Sequence, residues 1–271
     1  MFQQVVVPVD GSAASWKAVP VAARMAAAVG GTIDVVTVVD RVGAVGVAEA
    51  ELQSGLERAG SLAVEARTDV IAGDSVAAAI AEYVESQVGV MVVMSSHGHG
   101  RSAAVLGSVA DELLRATFGP IIVLGPHVDD EAGSLSGRVI IPVDGSDHGE
   151  TILSIASAWV VEFDAEPWLV EVVEPAAAQS TDYFESAYPS RIAHRLTDET
   201  GHEFEFDVLH DEHAAHAITD YADRVDASLI VASTHGRSGV SRLRLGSVAA
   251  DIVRHATCPV VLYRPPLLDQ E

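Results

Sequence analysis

Lysine is nearly missing from this chain of 271 residues: Lys17 is the only one, and the other members of the 16 basic residues are arginines. Against 39 acidic residues they leave a formal net charge of −23, a field that repels nucleic-acid phosphates and anionic membrane surfaces. No nucleic-acid partner is expected. The arginine bias fits a salt-adapted source and a GC-rich genome equally well. Cysteine is as scarce: Cys258 stands alone, which excludes an intramolecular disulfide and suits a reducing compartment. Apolar runs are short of the roughly 18 residues a membrane helix needs. The opening MFQQVVVPVDGS has no basic region and breaks at Pro8 and Asp10, so no signal peptide is expected there. A cytoplasmic protein with no membrane partner is the expectation. Aromatics make up 5% of residues while hydrophobic side chains reach 49%. The core must then be built from Val, Ala, Leu and Ile, as in a buried parallel sheet flanked by Ala-rich helices.

What the chain does have, it has twice. VVVPVDGS at 5–12 returns as VIIPVDGS at 139–146, the His-Gly pair at 97–98 returns at 235–236, and GSVA at 107–110 returns at 246–249. Two copies of one domain explain this most economically, with boundaries at 1–125 and 138–265 and a Gly-, Ser- and acid-rich linker over 126–137. Within each copy short apolar runs alternate with helical patterns, the signature of parallel strands joined by crossover helices. Strands are predicted near 3–9, 33–39, 63–70, 89–95 and 120–124, then near 138–143, 167–173, 203–209, 228–233 and 259–263. First-half helices are predicted near 13–29, 48–60, 74–87 and 108–116. The fold class is α/β: two tandem doubly wound five-stranded domains, expected to form an internal pseudo-dimer through the apolar last strands 121–124 and 260–263. Pro8 and Pro142 near the end of a central strand are awkward. Their presence in both copies implies that the strand is leaving its ladder there.

Ligands of such sheets bind outside the carboxyl ends of the strands, where the strand order reverses. Both places that should face this crevice are well preserved between the copies. Asp10 and Asp144 end the first strand in Asp-Gly-Ser, which reads either as a turn with Ser12 and Ser146 capping the next helix, or as a carboxylate aimed at a ligand. The two readings are compatible. After the fourth strand come SSHGHGRSAAVLGSVA (95–110) and STHGRSGVSRLRLGSVA (233–249), each a glycine-bearing loop feeding a helix start. Such a helix start is an anion site, because its first N–H groups lack intrahelical partners. No G-K-[ST] follows, so neither is a Walker loop.

With the strand-one Asp and a glycine loop ending in Gly-Ser in both halves, the chain resembles a tandem universal stress protein. Family domains carry a loop of the form G-x-x-G, nine residues, then G-[ST]; RHATCPVVLY at 254–263 is similar to the family's usual ending. The resemblance implies an adenine-nucleotide (ATP) binding module, with or without magnesium, acting in stress response or signalling. It implies that Asp10 and Val38 meet the adenosine, that Met94, Ser95 and Gly98 surround the ribose and phosphates, and that Gly107, Ser108 and Val109 cradle the phosphate tail. The matching residues of the second half are Asp144, Val172, Ala232, Ser233, Gly236, Gly246, Ser247 and Val248. Amide dipoles would replace the missing lysine. Two departures stand out: Ser95 and Ser233 occupy the place of the motif's first glycine, and the first loop has eight residues between Gly98 and Gly107 where the second has nine. The second site is therefore expected to bind at least as well as the first.

Other residues admit two readings. Arg237, Arg242 and Arg244 in the second loop, and Arg101 in the first, would either add charge-assisted bonds to phosphate or simply be solvated. His97 and His235 lack a nucleophile or acid in a catalytic pattern and read as structural. His213 and His216 have the spacing to share a metal on one helix face, but a polar helix start is the preferred reading and no metal site is assigned. Cys258 reads as a small buried hydrophobe. A dehydrogenase is disfavoured: Asp40 and Glu174 follow the second strand, but the first turn reads DGSA rather than GxGxxG. No catalytic residue is assigned. The alternatives to a nucleotide-binding module are a scaffold that binds no nucleotide and a slow ATPase; beyond the pseudo-dimer, further homo-oligomers stay open.

Overall fold

The computed structural model describes residues 2–40, 44–98, 106–117, 119–175, 186–234 and 245–264. The chain divides into two compact units, Met1–Ser134 and Leu135–Glu271. In the first, the elements in chain order are β1 (Gln4–Pro8), α1 (Ala13–Trp16), α2 (Ala18–Ala28), β2 (Thr32–Val39), α3 (Val45–Ala59), β3 (Ala66–Ala72), α4 (Val76–Glu85), β4 (Val90–Ser95), α5 (Ser108–Ala116) and β5 (Ile121–Leu124). Its strands lie in the order β3-β2-β1-β4-β5, and every neighbouring pair is parallel. The order reverses between β1 and β4, which creates the switch point where ligands of this architecture bind.

The second unit repeats the plan with β6 (Arg138–Val143), α6 (Asp147–Glu150), α7 (Ile152–Phe163), β7 (Glu166–Val173), α8 (Ala187–Thr200), β8 (Glu205–His210), α9 (Ala214–Arg224), β9 (Leu229–Ser233), α10 (Ser247–His255) and β10 (Val260–Tyr263). Its strand order is β8-β7-β6-β9-β10, again parallel throughout. The central strands are apolar on both faces, as helices covering both sides require: Val5, Val6 and Val7 in β1 and Val139, Ile140 and Ile141 in β6 are fully buried. Ala18, Ala22 and Ala26 of α2 are equally buried, and their short side chains let the helix approach the sheet closely.

The prolines prove to be half of an opening. Val9 N–H still donates to Val36 O at 2.8 Å, so β1 keeps its β2 ladder past Pro8, whose Cα partner is Val36. On the other side β1 pairs with β4 only through Gln4, Val5 and Val6. N–H groups alternate sides along a strand, so the donor that Pro8 lacks belongs to the β4 side. Pro142 repeats this: β6 follows β7 to Val143 but pairs with β9 only at Val139 and Ile140. Each proline therefore helps part the sheet at its switch point.

Two local readings change. The helix expected over 13–29 breaks at Lys17 into α1 and α2. Pro20 has no N–H to offer the carbonyl of Trp16, four residues back, which removes the bond that would bridge the break. The second unit breaks at Thr151 without a proline; there Thr151 Oγ1 donates to His148 O at 2.6 Å and Ser154 Oγ to Thr151 O at 3.2 Å, so hydroxyls compete for the turn's carbonyls. β3 starts at Ala66 rather than 63, because its pairing with β2 begins at Ile33 and Ala66. The stretch read as linker is packed: Val128 and Leu135 are buried, Arg24 Nε donates to Ala132 O at 2.7 Å, and Trp159 Nε1 donates to Leu135 O at 2.9 Å. The division between the units falls inside it, after Ser134.

Candidate functional site

Each unit holds a crevice at the switch point. Asp-Gly-Ser makes its floor: Gly11 and Gly145 turn the chain at φ 84° and 74°, a left-handed conformation that glycine adopts without steric cost. In the first unit Asp10 Oδ1 accepts from Ser12 N at 3.0 Å and from Ser12 Oγ at 2.6 Å, while Ser12 Oγ caps α1 by accepting from Ser15 N at 3.1 Å. The second unit repeats these bonds. Ser146 N and Oγ reach Asp144 Oδ1 at 3.0 and 2.6 Å, and Ser146 Oγ accepts from Gly149 N at 3.0 Å. Turn formation and a carboxylate at the strand mouth are thus the same structure. The Asp10 carboxylate also lies against Gly98, so close that an added Cβ there would overlap Oδ2. This contact joins the end of β1 to the loop that follows β4.

The far wall is a helix start. Gly107 N donates to Ser96 O at 2.7 Å and Gly246 N to Thr234 O at 2.9 Å, which ties the last glycine of each loop back to the end of β4 or β9. α5 and α10 then begin at Ser108 and Ser247 with glycine at the N-cap and no side-chain cap. Their first N–H groups and the positive end of the helix dipole face the crevice mouth, an arrangement suited to an anion.

Between floor and helix start, Asp10, Val38, Met94, Ser95, Gly98, Gly107, Ser108 and Val109 all line the first crevice. Asp144, Val172, Ala232, Ser233, Gly246, Ser247 and Val248 line the second. Gly236 lies outside the described residues, as do His235, Arg101, Arg237, Arg242 and Arg244. The structure adds an apolar side that motif reasoning passed over: Val36, Val76 and Ile80 in the first unit, Val170, Ala214 and Ile218 in the second. A repeat alignment carried through the third crossover helix would have found it, since Ile80 and Ile218 occupy matching places in VAAAIAEY and AAHAITDY. Among the described lining residues Asp10 and Asp144 are the carboxylates. Each crevice therefore combines an apolar slot, one carboxylate, hydroxyls at Ser95 or Ser233, and a helix N-terminus.

His97 also lines the first crevice, whereas the other residues with candidate chemistry lie elsewhere. His97 Nδ1 lies 3.0 Å from Ser96 Oγ, and its carbonyl accepts from Ser95 Oγ at 3.0 Å, contacts that brace the loop. His213 and His216 stack with centroids 5.6 Å apart, and His216 meets His255 edge-on at 4.9 Å. Among the described residues, no group of three or more His, Cys, Asp or Glu is placed to hold a metal ion. Cys258 is buried, and that burial pushes its thiol up to about 12, which removes the thiolate that redox or nucleophilic chemistry needs.

Comparison with known proteins agrees with this geometry. The model of the universal stress protein family matches residues 1–125 and again 136–264. The chain belongs to the universal stress protein family, with two of its domains in tandem. It is 29% identical over 145 residues to a universal stress protein of Methanocaldococcus jannaschii, an alignment spanning 49% of this chain and 85% of the relative. It is 28% identical over 197 residues to a universal stress protein of Mycolicibacterium smegmatis, covering 65% of this chain and 62% of that one. The crystal structure of a universal stress protein from Archaeoglobus fulgidus superposes with a TM-score of 0.68 at 21% identity, over 97% of this chain and 99% of its own, and so shares the fold. No helix among the described residues is long and apolar enough to cross a membrane.

Proposed function

We propose that the chain is a cytoplasmic stress-response or signalling module that binds adenine nucleotide, ATP in the first instance, in one or both crevices. One observation carries this reading: in each unit the strand-one carboxylate, an apolar slot and the Gly-Ser helix start converge on a single crevice. The slot suits a purine ring, Asp10 or Asp144 can accept from a ribose hydroxyl or ring amine, and the amides of Ser108 and Val109, or Ser247 and Val248, suit phosphate. Hydroxyls at Ser108 and Ser247 are placed to touch a phosphate or a magnesium ion held by it.

The same site is poorly furnished for turnover. Phosphoryl transfer needs a positioned nucleophile and a neutralised developing charge, and the one carboxylate in each described lining is already bonded to Ser12 or Ser146. Amides that hold ground state and transition state almost equally give affinity without acceleration. Hydrolysis should stay below about 1 s⁻¹, the low end of ordinary enzymes. Mass spectrometry of the purified chain for carried-over nucleotide, followed by calorimetry with ATP and magnesium, tests the reading. Saturable binding is expected. Its absence, with no nucleotide carried over, would favour a scaffold, and fast hydrolysis abolished by Ser247→Ala would make the protein an ATPase.

A further inference from the structure

The two crevices are lined by equivalent positions but not by equivalent side chains. The first has Met94 at the end of β4, Val76 at the start of α4 and Ser15 in α1, where the second has Ala232, Ala214 and Gly149. A methionine side chain and an isopropyl group each give way to a methyl, and a hydroxymethyl gives way to a hydrogen. These three changes run in one direction, and only Ser96, matched by Thr234 among the described lining residues, runs the other way by one methyl. The rest of the apolar wall keeps its bulk, with Val36, Val38 and Ile80 matched by Val170, Val172 and Ile218. The first crevice has a volume of about 160 Å³ and the second about 240 Å³, and the second reaches as far as Ile252.

The substituted positions are fixed parts of the walls. Met94 is 6% exposed and Ala232 3%, so Met94 has little room to swing out, and the Ala232 methyl has no rotamer with which to fill space. Ser15 is held too: its hydroxyl donates to Ser12 O at 2.9 Å and accepts from Asp10 N at 3.2 Å. At Gly149 only a hydrogen meets the Asp144 carboxylate, and an added Cβ would come within 3.0 Å of Ser146 Oγ.

We infer that the crevices sort ligands by size: the second accepts a nucleotide carrying an extra apolar group, the first excludes it, and Met94 with Ala232 is the pair that sets the difference. That the ligand is a nucleotide rests on the preceding reading; the ranking by size rests on the walls alone.

The test uses the full chain with ¹³C-labelled Met and Ala methyls, titrated separately with ATP, N6-benzyl-ATP and the phosphate-free ring compound indole. N6-benzyl-ATP should move the Ala214 and Ala232 methyls and leave the Met94 methyl in place. Ala232→Met should weaken its binding by at least about tenfold, the order that overpacking a filled wall produces, and Met94→Ala should open the first crevice as a second site. A Met94 methyl that moves as readily as Ala232 in the unaltered chain, or undiminished binding to a folded Ala232→Met variant, overturns the assignment. Indole separates the two readings. If neither nucleotide moves any methyl but indole reaches Ala232 at lower concentration than Met94, the size ranking stands and the nucleotide reading falls. If no probe favours Ala232 over Met94, the ranking falls.

Discussion

In the first turn of α5 stands Asp111, its carboxylate 2.6 Å from Arg115 Nη2; the matching residue of α10 is Ala250, and no acidic residue occupies that helix's first turn. A carboxylate there already uses the positive end of the dipole that a phosphate would otherwise use. The first unit thus has the narrower crevice and the less electropositive helix start, and the second has neither handicap. The frames of the two units are nonetheless the same down to individual bonds, from the Asp–Ser contacts to the Gly107 and Gly246 ties. At the crevices, divergence in the lining side chains leaves the Asp–Ser contacts and the Gly107 and Gly246 ties in place. Two copies in one chain can therefore keep one architecture while their sites drift apart in preference.

The largest expected effect comes from closing the first site at its narrowest contact. Gly98→Ala would drive a methyl into the Asp10 carboxylate and cost it bonds to Ser12, about 1.5–3 kcal/mol for a hydrogen bond to a charged group. First-site binding should fall accordingly while the Ala214 and Ala232 methyls still respond to nucleotide. Loss of both responses would show the units to be coupled rather than independent.

Ser247→Ala should follow, weakening nucleotide binding to the second site by about 1 kcal/mol, the net worth of one hydrogen bond. Ser108→Ala at the first site should change the total heat of binding less. Equal effects from the two would remove the functional asymmetry. Smaller still, Asp111→Asn should strengthen anion binding at the first helix start by about 0.3–1 kcal/mol, narrowing the gap between the sites. No gain in phosphate or nucleotide affinity would mean that the Arg115 pair had already cancelled the charge.

A separate effect, on stability rather than binding, needs alkaline pH. Cys258 occurs in the second unit, and its thiol rises from an ordinary 9.0 to about 12 through burial. A folded value above the unfolded one means that the folded chain holds this proton more tightly. The resulting stabilisation is whole below pH 9.0 and disappears as pH climbs towards 12. Thermal midpoints should therefore decline over that range, and Cys258→Ala should flatten the decline. Tyr83, raised to about 12 by burial first and Asp34 second, supplies a parallel fall above pH 10.0 that the cysteine variant keeps.

Much of this was legible in sequence for a definite reason. Buried parallel strands must be continuous apolar runs, so VVV and VII before the prolines announce β1 and β6, and the repeated Asp-Gly-Ser and Gly-Ser mark the two sides of each crevice. Resemblance to the family supplied individual lining residues, and the described ones do line the crevices. What composition did not reveal is that the stretch after β5, rich in acids and glycines, is anchored by the buried Val128 and Leu135. The break at Lys17 depends on a bond that Pro20 cannot make, but Thr151 produces the same break through hydroxyls, so no single residue type signals it. The apolar slot escaped notice because Val36, Ile80 and their counterparts look like any core positions until the sheet parts beside them.

The claim that the crevices are unequal nucleotide sites meets its most direct test in calorimetry of ATP with magnesium on three forms of the full chain: unaltered, Gly107→Val and Gly246→Val. At Gly107 an added Cβ would already stand 3.1 Å from Ser96 O, so a branched side chain should obstruct the loop, and the parallel tie of Gly246 to Thr234 O gives the same expectation there. The account predicts saturable binding to the unaltered chain, most of it lost in Gly246→Val and a smaller part in Gly107→Val. A greater loss from Gly107→Val would reverse the ranking of the sites, and no binding to the unaltered chain would contradict the nucleotide reading itself.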